Sequence, residues 1–143
     1  MRSATSVIVV DASAVLEMIL NRPAAPALRR RLLHSGELLH APHLIDVEVL
    51  QVIRRYLLAG NLDEQRATEA MRDHLDLPIE RYPHDVLFSR IWQLRTNLTA
   101  YDAAYVALAE ALDATLLTAD VRLARSVPRG VRVEVFTGSP SRA

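Results

Sequence analysis

Short runs of β-branched and aliphatic residues alternate along the chain with longer segments whose apolar residues recur at helical spacing. SVIVV and TLLT are examples of the first kind, and LIDVEVLQVIRRYLL is an example of the second. We predict strands near residues 6–10, 37–40, 79–81, 115–118 and 132–136. Helices are predicted over residues 13–21, 25–34, 43–59, 63–75, 84–96, 100–112 and 120–126. The alternation predicts an α/β fold, a three-layer α/β/α sandwich with a mainly parallel central sheet.

The length of 143 residues is that of one domain. We therefore expect a single domain over residues 1–143, with a core from about residue 7 to 136 and a frayed tail, TGSPSRA. The chain has no cysteine, which excludes disulfide and thiolate chemistry. Its uncharged runs are far shorter than the roughly 18 apolar residues of a membrane span, so we expect a cytoplasmic protein.

The charges balance, with 17 acidic and 17 basic residues, and every basic residue is arginine. The absence of lysine excludes a Walker phosphate loop, a receiver domain and Schiff-base chemistry, each of which needs a lysine amine. A net charge of zero argues against a broad basic face for nucleic acid. Local binding stays open at the arginine clusters 29–31 and 54–55, although a solvated helix face is the favoured interpretation for at least one of them.

Four acidic residues stand at positions fixed by the predicted elements. Asp11 follows the first strand, Asp120 follows TLLT, Asp102 opens a helix, and Glu48 lies inside an apolar helix. An open α/β sheet binds its ligands at the carboxyl ends of its strands, where two of these residues fall. If the four converge, two like charges about 4 Å apart repel by roughly 4 kcal/mol at an effective dielectric of about 20. A hard cation such as Mg²⁺ or Mn²⁺ relieves that repulsion and prefers oxygen ligands, so the four are candidate metal ligands.

Three of these acids also have a purely structural interpretation. Asp11 and Asp120 can each cap the helix that follows. Asp102 lies three residues after Thr99, which is the spacing of a capping box with aspartate in place of glutamate. For any one of them alone capping is the favoured role, and the joint pattern is what points to a ligand site.

Glu48 lacks such an alternative, because an unpaired charge among apolar residues is unfavourable. Its neighbour Asp46 falls nearly opposite on the helix, and we predict that it is the solvated acid of the two. Trp92 stands with Phe88, Ile91 and Arg95 at helical spacing, which predicts a core face without a functional role.

Four segments in order carry a family resemblance: VIVVDASAVLEMIL, HLIDVEVLQVIRR, LTAYDAAYVALAEAL and LLTADVRLA. Together they resemble the PIN domain, and specifically the VapC-type toxins of bacterial toxin–antitoxin pairs, from about residue 7 to 136. No single segment is specific to this family, but the four segments in this order and spacing are. The acidic quartet of the family falls on Asp11, Glu48, Asp102 and Asp120, with the small hydroxyl residues Ser13 and Thr118 beside it.

The resemblance implies a Mg²⁺- or Mn²⁺-dependent ribonuclease that cleaves structured RNA such as tRNA or ribosomal RNA. It also implies a homodimer and a cognate VapB-type antitoxin that occupies the active-site groove. We assign Asp11 and Asp102 to direct ligation of the metal and the other two acids to ligation through water or a second ion. Ser13 or Thr118 is assigned to orienting a carboxylate or a water molecule.

Two other functions compete with this one. A phosphatase of the haloacid-dehalogenase type also has aspartate after its first strand, but it needs a second acid at position 13, where this chain has serine. A catalytically silent module that keeps the fold and only binds a partner is the remaining alternative. The intact quartet argues against silence, because mutual repulsion without a use would only destabilise the fold.

The partner is expected at the segments 12–20 and 25–33. They carry seven apolar residues at helical spacing: Val15, Leu16, Ile19, Leu20, Leu28, Leu32 and Leu33. Two short helices need fewer for one core face, so we expect part of this surface to be open to an amphipathic antitoxin segment. The alternative is that all seven lie in the core.

Overall fold

A parallel five-stranded sheet forms the centre of the computed structural model, which describes residues 7–35 and 38–138. The strands are β1 (Ile8–Val10), β2 (Leu39–Pro42), β3 (Ile79–Tyr82), β4 (Thr115–Thr118) and β5 (Arg132–Val135). Their order is β3-β2-β1-β4-β5, and every neighbouring pair is parallel. The predicted parallel sheet is thus confirmed.

Helices connect the strands, as parallel pairing requires. In the described part of the chain they are α1 (Ala12–Ile19), α2 (Ala25–Ser35), α3 (Leu44–Leu58), α4 (Glu64–Asp76), α5 (Phe88–Gln93), α6 (Ala100–Leu112) and α7 (Val121–Ser126). Helix α6 packs against β1, β2 and β4, and α1 contacts β4 together with α2, α3 and α4. The predicted α/β sandwich is confirmed.

The two central strands are the most buried part of the sheet. Every residue of β1 and β4 is buried, whereas the edge strand β5 is half-buried to exposed along its length. Strands covered on both faces need continuous apolar runs, which is why VIVV and TLLT were clear strand signals. Helix α6 follows the same logic, because its seven consecutive residues 103–109 are all buried.

The segment predicted as one helix over residues 84–96 is interrupted. A 3-10 turn, Asp85–Leu87, precedes α5, which ends at Gln93. Beyond it, the Leu94 amide donates to the carbonyl oxygens of both Arg90 and Ile91, which is the tightened hydrogen bonding of a helix that is ending.

The aromatic residues of this segment do not form the predicted core face. Phe88 is 73% exposed and Trp92 is 65% exposed, whereas Ile91 packs against the core. The prediction was wrong for both aromatic residues. Phe88 and Trp92 are one helical turn apart, so they share one face of α5, and that face is turned towards solvent.

The predicted partner surface on α1 and α2 is less open than expected, and docking of a partner there stays a prediction. Val15, Leu16, Ile19 and Leu28 are all buried in the core. Leu20 and Leu32 are half-buried against the core, and the side chain of Leu33 lies outside the described residues. Helix α1 carries more apolar residues than one core face needs because it packs against three helices and the sheet at once.

The two arginine clusters differ in their surroundings. Arg31 donates two hydrogen bonds, of 2.7 and 3.2 Å, to the Glu134 carboxylate and so ties α2 to β5. Arg54 and Arg55 are exposed on α3. The solvated interpretation therefore holds for the second cluster and fails for Arg31.

No helix in residues 7–35 or 38–138 is long and apolar enough to cross a bilayer. The predicted frayed tail begins at residue 137, and from residue 139 onward it lies outside the described residues.

Candidate active site

Two of the predicted acids meet where the central strands end. The strands β1 and β4 are neighbours, with Val10 opposite Leu117, so the residues that follow them lie at the same edge of the sheet. Asp11 follows β1, and its amide donates to the Leu117 carbonyl oxygen at 3.2 Å. Asp120 follows β4 after one intervening residue.

Asp11 is a buried carboxylate with three hydrogen-bond donors. Its exposed fraction is 4%. Oδ1 accepts from the Ser13 hydroxyl at 2.7 Å and from the Ala14 amide at 3.0 Å, and Oδ2 accepts from the Thr118 hydroxyl at 2.5 Å. Burial raises the pKa of Asp11 to about 6, the three donors oppose the shift, and the Asp120 charge adds to it.

The hydroxyl groups of Ser13 and Thr118 tie together the two turns that follow β1 and β4. They lie 3.2 Å apart. Ser13 accepts a hydrogen bond from the Ala119 amide at 2.9 Å, and Thr118 accepts one from the Asp120 amide at 2.9 Å. Both hydroxyls are thereby oriented to donate to Asp11, which fixes the plane of its carboxylate.

Glu48 is held by a residue that the sequence interpretation missed. The buried Tyr105 hydroxyl donates a 2.6 Å hydrogen bond to Oε1 of Glu48. Burial raises the pKa of Glu48, the Tyr105 hydrogen bond opposes the shift, and Asp102 and Asp11 add to it. Tyr105 follows Asp102 by one helical turn, and a polar tip in an otherwise apolar stretch was the signal that could have identified it.

Asp102 lies in the first turn of α6, as predicted. Its amide donates to the hydroxyl of Thr99, the N-cap residue, at 3.1 Å. Burial raises the pKa of Asp102, the Arg122 charge opposes the shift, and the Asp120 charge adds to it.

Asp120 caps α7. Its Oδ1 accepts from the Arg122 amide at 2.9 Å and from the Leu123 amide at 3.2 Å. The Arg122 guanidinium lies 3.5 Å from the other carboxylate oxygen. Capping is thus confirmed for Asp120, and likewise for Asp11, which caps α1 through Ala14. One carboxylate oxygen suffices for each cap, so capping does not compete with a second role.

The four predicted acids form a closed electrostatic ring. Asp11 interacts with Asp120 and Glu48, and Asp102 interacts with the same two residues from the other side. Among the described residues, however, no group of three or more acidic or histidine side chains is arranged as a ready-made metal site. The structure therefore brings together a ring of mutually repelling carboxylates, while the ligand role of each stays a prediction.

Asp46 is not the solvated acid that we predicted. Arg81 donates to both of its oxygens at 2.8 and 2.9 Å, and His74 lies 2.7 Å from Oδ1. Partial burial acts to raise the pKa of Asp46, but these hydrogen bonds outweigh it and lower the pKa. Asp46 is separate from the ring and joins α3 to α4 and β3.

The PIN domain family model matches residues 8–127. Ribonuclease VapC9 of Mycobacterium tuberculosis is 47% identical over 116 residues, which are 81% of this chain and 87% of VapC9. The structure of Rickettsia felis VapBC2 bound to a DNA fragment from their promoter matches with a TM-score of 0.66 at 14% identity, covering 91% of this chain and 98% of that one. Mycobacterium tuberculosis VapC20, a sarcin-ricin loop cleaving toxin, matches with a TM-score of 0.63 at 15% identity, covering 87% and 98%. These two structures share the fold, and the sequence match and the family model together establish that the chain belongs to the PIN domain family and, within it, to the VapC ribonucleases.

Proposed function

We propose that the protein is a Mg²⁺- or Mn²⁺-dependent endoribonuclease, the toxin of a toxin–antitoxin pair, that hydrolyses phosphodiester bonds in structured RNA such as tRNA or ribosomal RNA. The observation that supports this most is the ring of Asp11, Glu48, Asp102 and Asp120 at the carboxyl edge of the sheet. The naming of VapC9 as a ribonuclease and of VapC20 as a sarcin-ricin loop cleaving toxin supports the same activity.

The donor chemistry of the ring fits a hard divalent cation. All four side chains offer only oxygen, and burial and like charges raise the pKa of three of them. A bound cation would reverse these shifts and return the acids to their charged form. A divalent ion held there would supply Lewis-acid activation of water and neutralise charge on the phosphate.

The side chains of the site would have different roles in binding the ion. Asp11 and Asp102 would hold the ion directly, and Glu48 and Asp120 would act through water or a second ion. The Ser13 and Thr118 hydroxyls would keep the Asp11 carboxylate in one orientation, as partners of metal ligands commonly do. Attack by water on phosphorus would leave 5′-phosphate and 3′-hydroxyl ends, without any nucleophilic side chain.

The acidic ring also suggests how a partner would inhibit the enzyme. The Rickettsia felis structure contains a toxin with its antitoxin, which supports an antitoxin partner here. A basic group of that antitoxin, directed at the ring, would match its charge and displace bound cation. We further propose that the protein is a cytoplasmic homodimer.

Incubation of the purified protein with total cellular RNA, in Mg²⁺ or in chelator, tests the proposal. We expect cleavage only with the metal, at a small number of sites, with 5′-phosphate ends. Absence of cleavage in both conditions, by protein whose melting transition is cooperative, would favour the silent binding module. Equal cleavage in chelator would exclude the metal-dependent mechanism.

A further inference from the structure

A polar groove of about 600 Å³ lies between the loop after α5 and the C-terminal end of α7. Its lining includes Gln93, Thr96 and Asn97 on the loop side and Arg125 on α7. None of the four ring carboxylates lines it. Proteins bind phosphates and the edges of nucleic-acid bases with side-chain amide, hydroxyl and guanidinium groups.

Both walls of the groove continue into the elements that hold the acidic ring. Leu98 lines the groove and immediately precedes the N-cap residue of α6, the helix that carries Asp102. Arg125 lies on α7, the helix that Asp120 caps. Arg122 lies one helical turn before Arg125 and pairs with Asp120 at 3.5 Å. A strand bound at the ring would therefore follow α7 directly into the groove.

Arg125 is not neutralised by an acid of the described residues, in contrast to three partly buried arginines of the chain. Arg31, Arg81 and Arg90 each donate two hydrogen bonds to a carboxylate. Arg125 is exposed, and its side chain has no hydrogen bond or ion pair with any described residue. A guanidinium without an acidic partner is available to a phosphate, which it can bind through two parallel hydrogen bonds.

An exposed aromatic residue lies on the chain segment that forms the loop wall of the groove, although neither Trp92 nor Arg95 lines the groove itself. Trp92, the only tryptophan of the chain, is 65% exposed, and the Arg95 guanidinium lies 4.4 Å from the centre of its ring. Arg95 also donates a 3.0 Å hydrogen bond to the Trp92 carbonyl oxygen, which holds the pair in place. Trp92 precedes the groove residue Gln93 in sequence, and Arg95 precedes Thr96. Nucleic-acid bases stack on aromatic rings and guanidinium planes in this way.

We propose that the groove and the Trp92–Arg95 pair bind a single-stranded segment of the RNA substrate, with a phosphate on Arg125 and a base stacked on Trp92 or Arg95. The proposal rests on the proposed function for the identity of the ligand as RNA. It adds a binding subsite outside the acidic ring, and it gives a role to an exposed tryptophan and to an exposed arginine of the groove lining.

Tryptophan fluorescence reports on this site directly, because Trp92 is the sole tryptophan. The wild-type protein in chelator is titrated with a single-stranded oligoribonucleotide of about ten nucleotides, the size range of a single-strand binding surface. We expect saturable quenching that weakens as salt is raised. A fluorescence change that depends on protein concentration alone, with no effect of RNA, would mean that a second copy of the chain covers Trp92 and would overturn the proposal.

Variants separate the two contacts, with affinity measured by anisotropy of labelled RNA. Trp92→Leu should bind roughly 5- to 100-fold more weakly, whereas Trp92→Phe, which retains a stacking ring, should stay close to wild type. Arg125→Gln should weaken binding and reduce the slope of log affinity against log salt by about 0.7. The matched control is Arg72→Gln, because Arg72 is an exposed arginine on α4, also without a partner among the described residues, and far along the chain from the groove.

Cleavage kinetics separate this proposal from the proposed function. We expect Trp92→Leu and Arg125→Gln to raise KM for RNA with little change in kcat, since they affect binding and not the acids. RNA cleavage with unchanged kinetics in both variants would overturn the subsite and leave the ribonuclease function intact. The predicted quenching and affinity losses, without any cleavage by the wild type, would support the subsite and reject the metal-dependent reaction.

Discussion

At the scale of single residues, Asp11 shows how one side chain serves both the fold and the site. It caps α1 and accepts from two hydroxyls, yet burial still raises its pKa to about 6. The three hydrogen bonds therefore do not fully offset the loss of solvation when the group is charged. Such a group destabilises the fold when it is ionised without a cation. Its ionisation can therefore be measured through the free energy of unfolding as pH changes.

The first prediction concerns the metal-free protein as pH changes. The folded pKa of Asp11 lies above its ordinary value of 3.8. The protonated Asp11 carboxyl therefore contributes its full stabilisation of the fold below pH 3.8, and this stabilisation is lost as pH rises through about 6. Relative to Asp11→Asn, the wild type should lose about 1 kcal/mol of unfolding free energy between about pH 5 and about pH 7. Urea unfolding in chelator measures this difference. A difference that is constant over the range would contradict the assignment of the raised pKa to Asp11.

A second prediction tests Tyr105 as the positioning residue for Glu48. Tyr105→Phe removes the 2.6 Å hydrogen bond and leaves the ring that fills the core. Loss of a group that orients a metal ligand commonly reduces metal affinity or activity by about 10- to 100-fold. We expect a loss of that size in cleavage rate, partly restored by higher Mg²⁺. Tyr101→Phe is the matched control, because Tyr101 lies on the same helix but is 66% exposed; equal losses in both variants would refute the specific role.

The sequence predicted the positions of the acids and missed their partners. Asp11, Asp102 and Asp120 follow from strand ends and helix starts, which are local features. The contacts of Glu48 with Tyr105 and of Asp46 with Arg81 join residues that are 57 and 35 positions apart. No periodicity in either segment encodes such a pairing, so helical-wheel geometry assigned Asp46 to solvent when it is bound by an arginine.

At the scale of elements, the strands were well predicted because buried parallel strands leave continuous apolar runs. The predictions for α1, α2 and the segment 84–96 that differ from the structure share one cause. The number of apolar residues in a helix does not show which neighbouring element, if any, covers each of its faces. Helices α1 and α2 looked over-supplied with apolar residues because α1 has several packing partners. The segment 84–96 looked like one amphipathic helix, yet it begins with a 3-10 turn and exposes Phe88 and Trp92.

The third prediction tests the connection that Asp46 makes between elements. Asp46→Asn removes the charge and replaces one acceptor oxygen by an amide donor, so the two-fold hydrogen bond from Arg81 cannot form. It should lower the unfolding free energy by about 1 kcal/mol, a modest value because the Asp46 side chain is 37% exposed. The pKa of Asp46 is lowered, so this contribution is present above the ordinary carboxyl pKa and is lost as pH falls. Cleavage activity should stay near wild type.

Asp113→Asn is the control for that variant. The Asp113 side chain is 91% exposed, and its backbone has a φ of 50°, a conformation that asparagine also adopts readily. Its unfolding free energy should change by less than about 0.5 kcal/mol. If Asp46→Asn is as stable as Asp113→Asn at neutral pH, the contacts of Asp46 with α4 and β3 do not contribute to the free energy of unfolding.

At the scale of the whole molecule, the zero net charge conceals a separation of charge. Carboxylates gather at the edge of the sheet, and Arg31 and Arg90 are neutralised by acids elsewhere. Arg122 and Arg125 lie along α7, and Arg122 pairs with Asp120 of the ring. The net charge argued only against a broad basic face and left local nucleic-acid binding open. The arrangement becomes visible only once the parallel strands bring segments more than 100 residues apart, such as those of Asp11 and Thr118, into contact.

The most direct test of the central claim is the rate of RNA cleavage as a function of Mg²⁺ concentration, measured for the wild type, Asp102→Asn and Asp113→Asn. Asp102→Asn keeps the shape of the side chain and removes one charge of the ring, so we expect no measurable cleavage at any Mg²⁺ concentration while the fold stays intact. The wild type and Asp113→Asn should respond to Mg²⁺ alike. Full Mg²⁺-dependent activity in Asp102→Asn, or equal loss in Asp113→Asn, would show that the ring of carboxylates is not the catalytic centre.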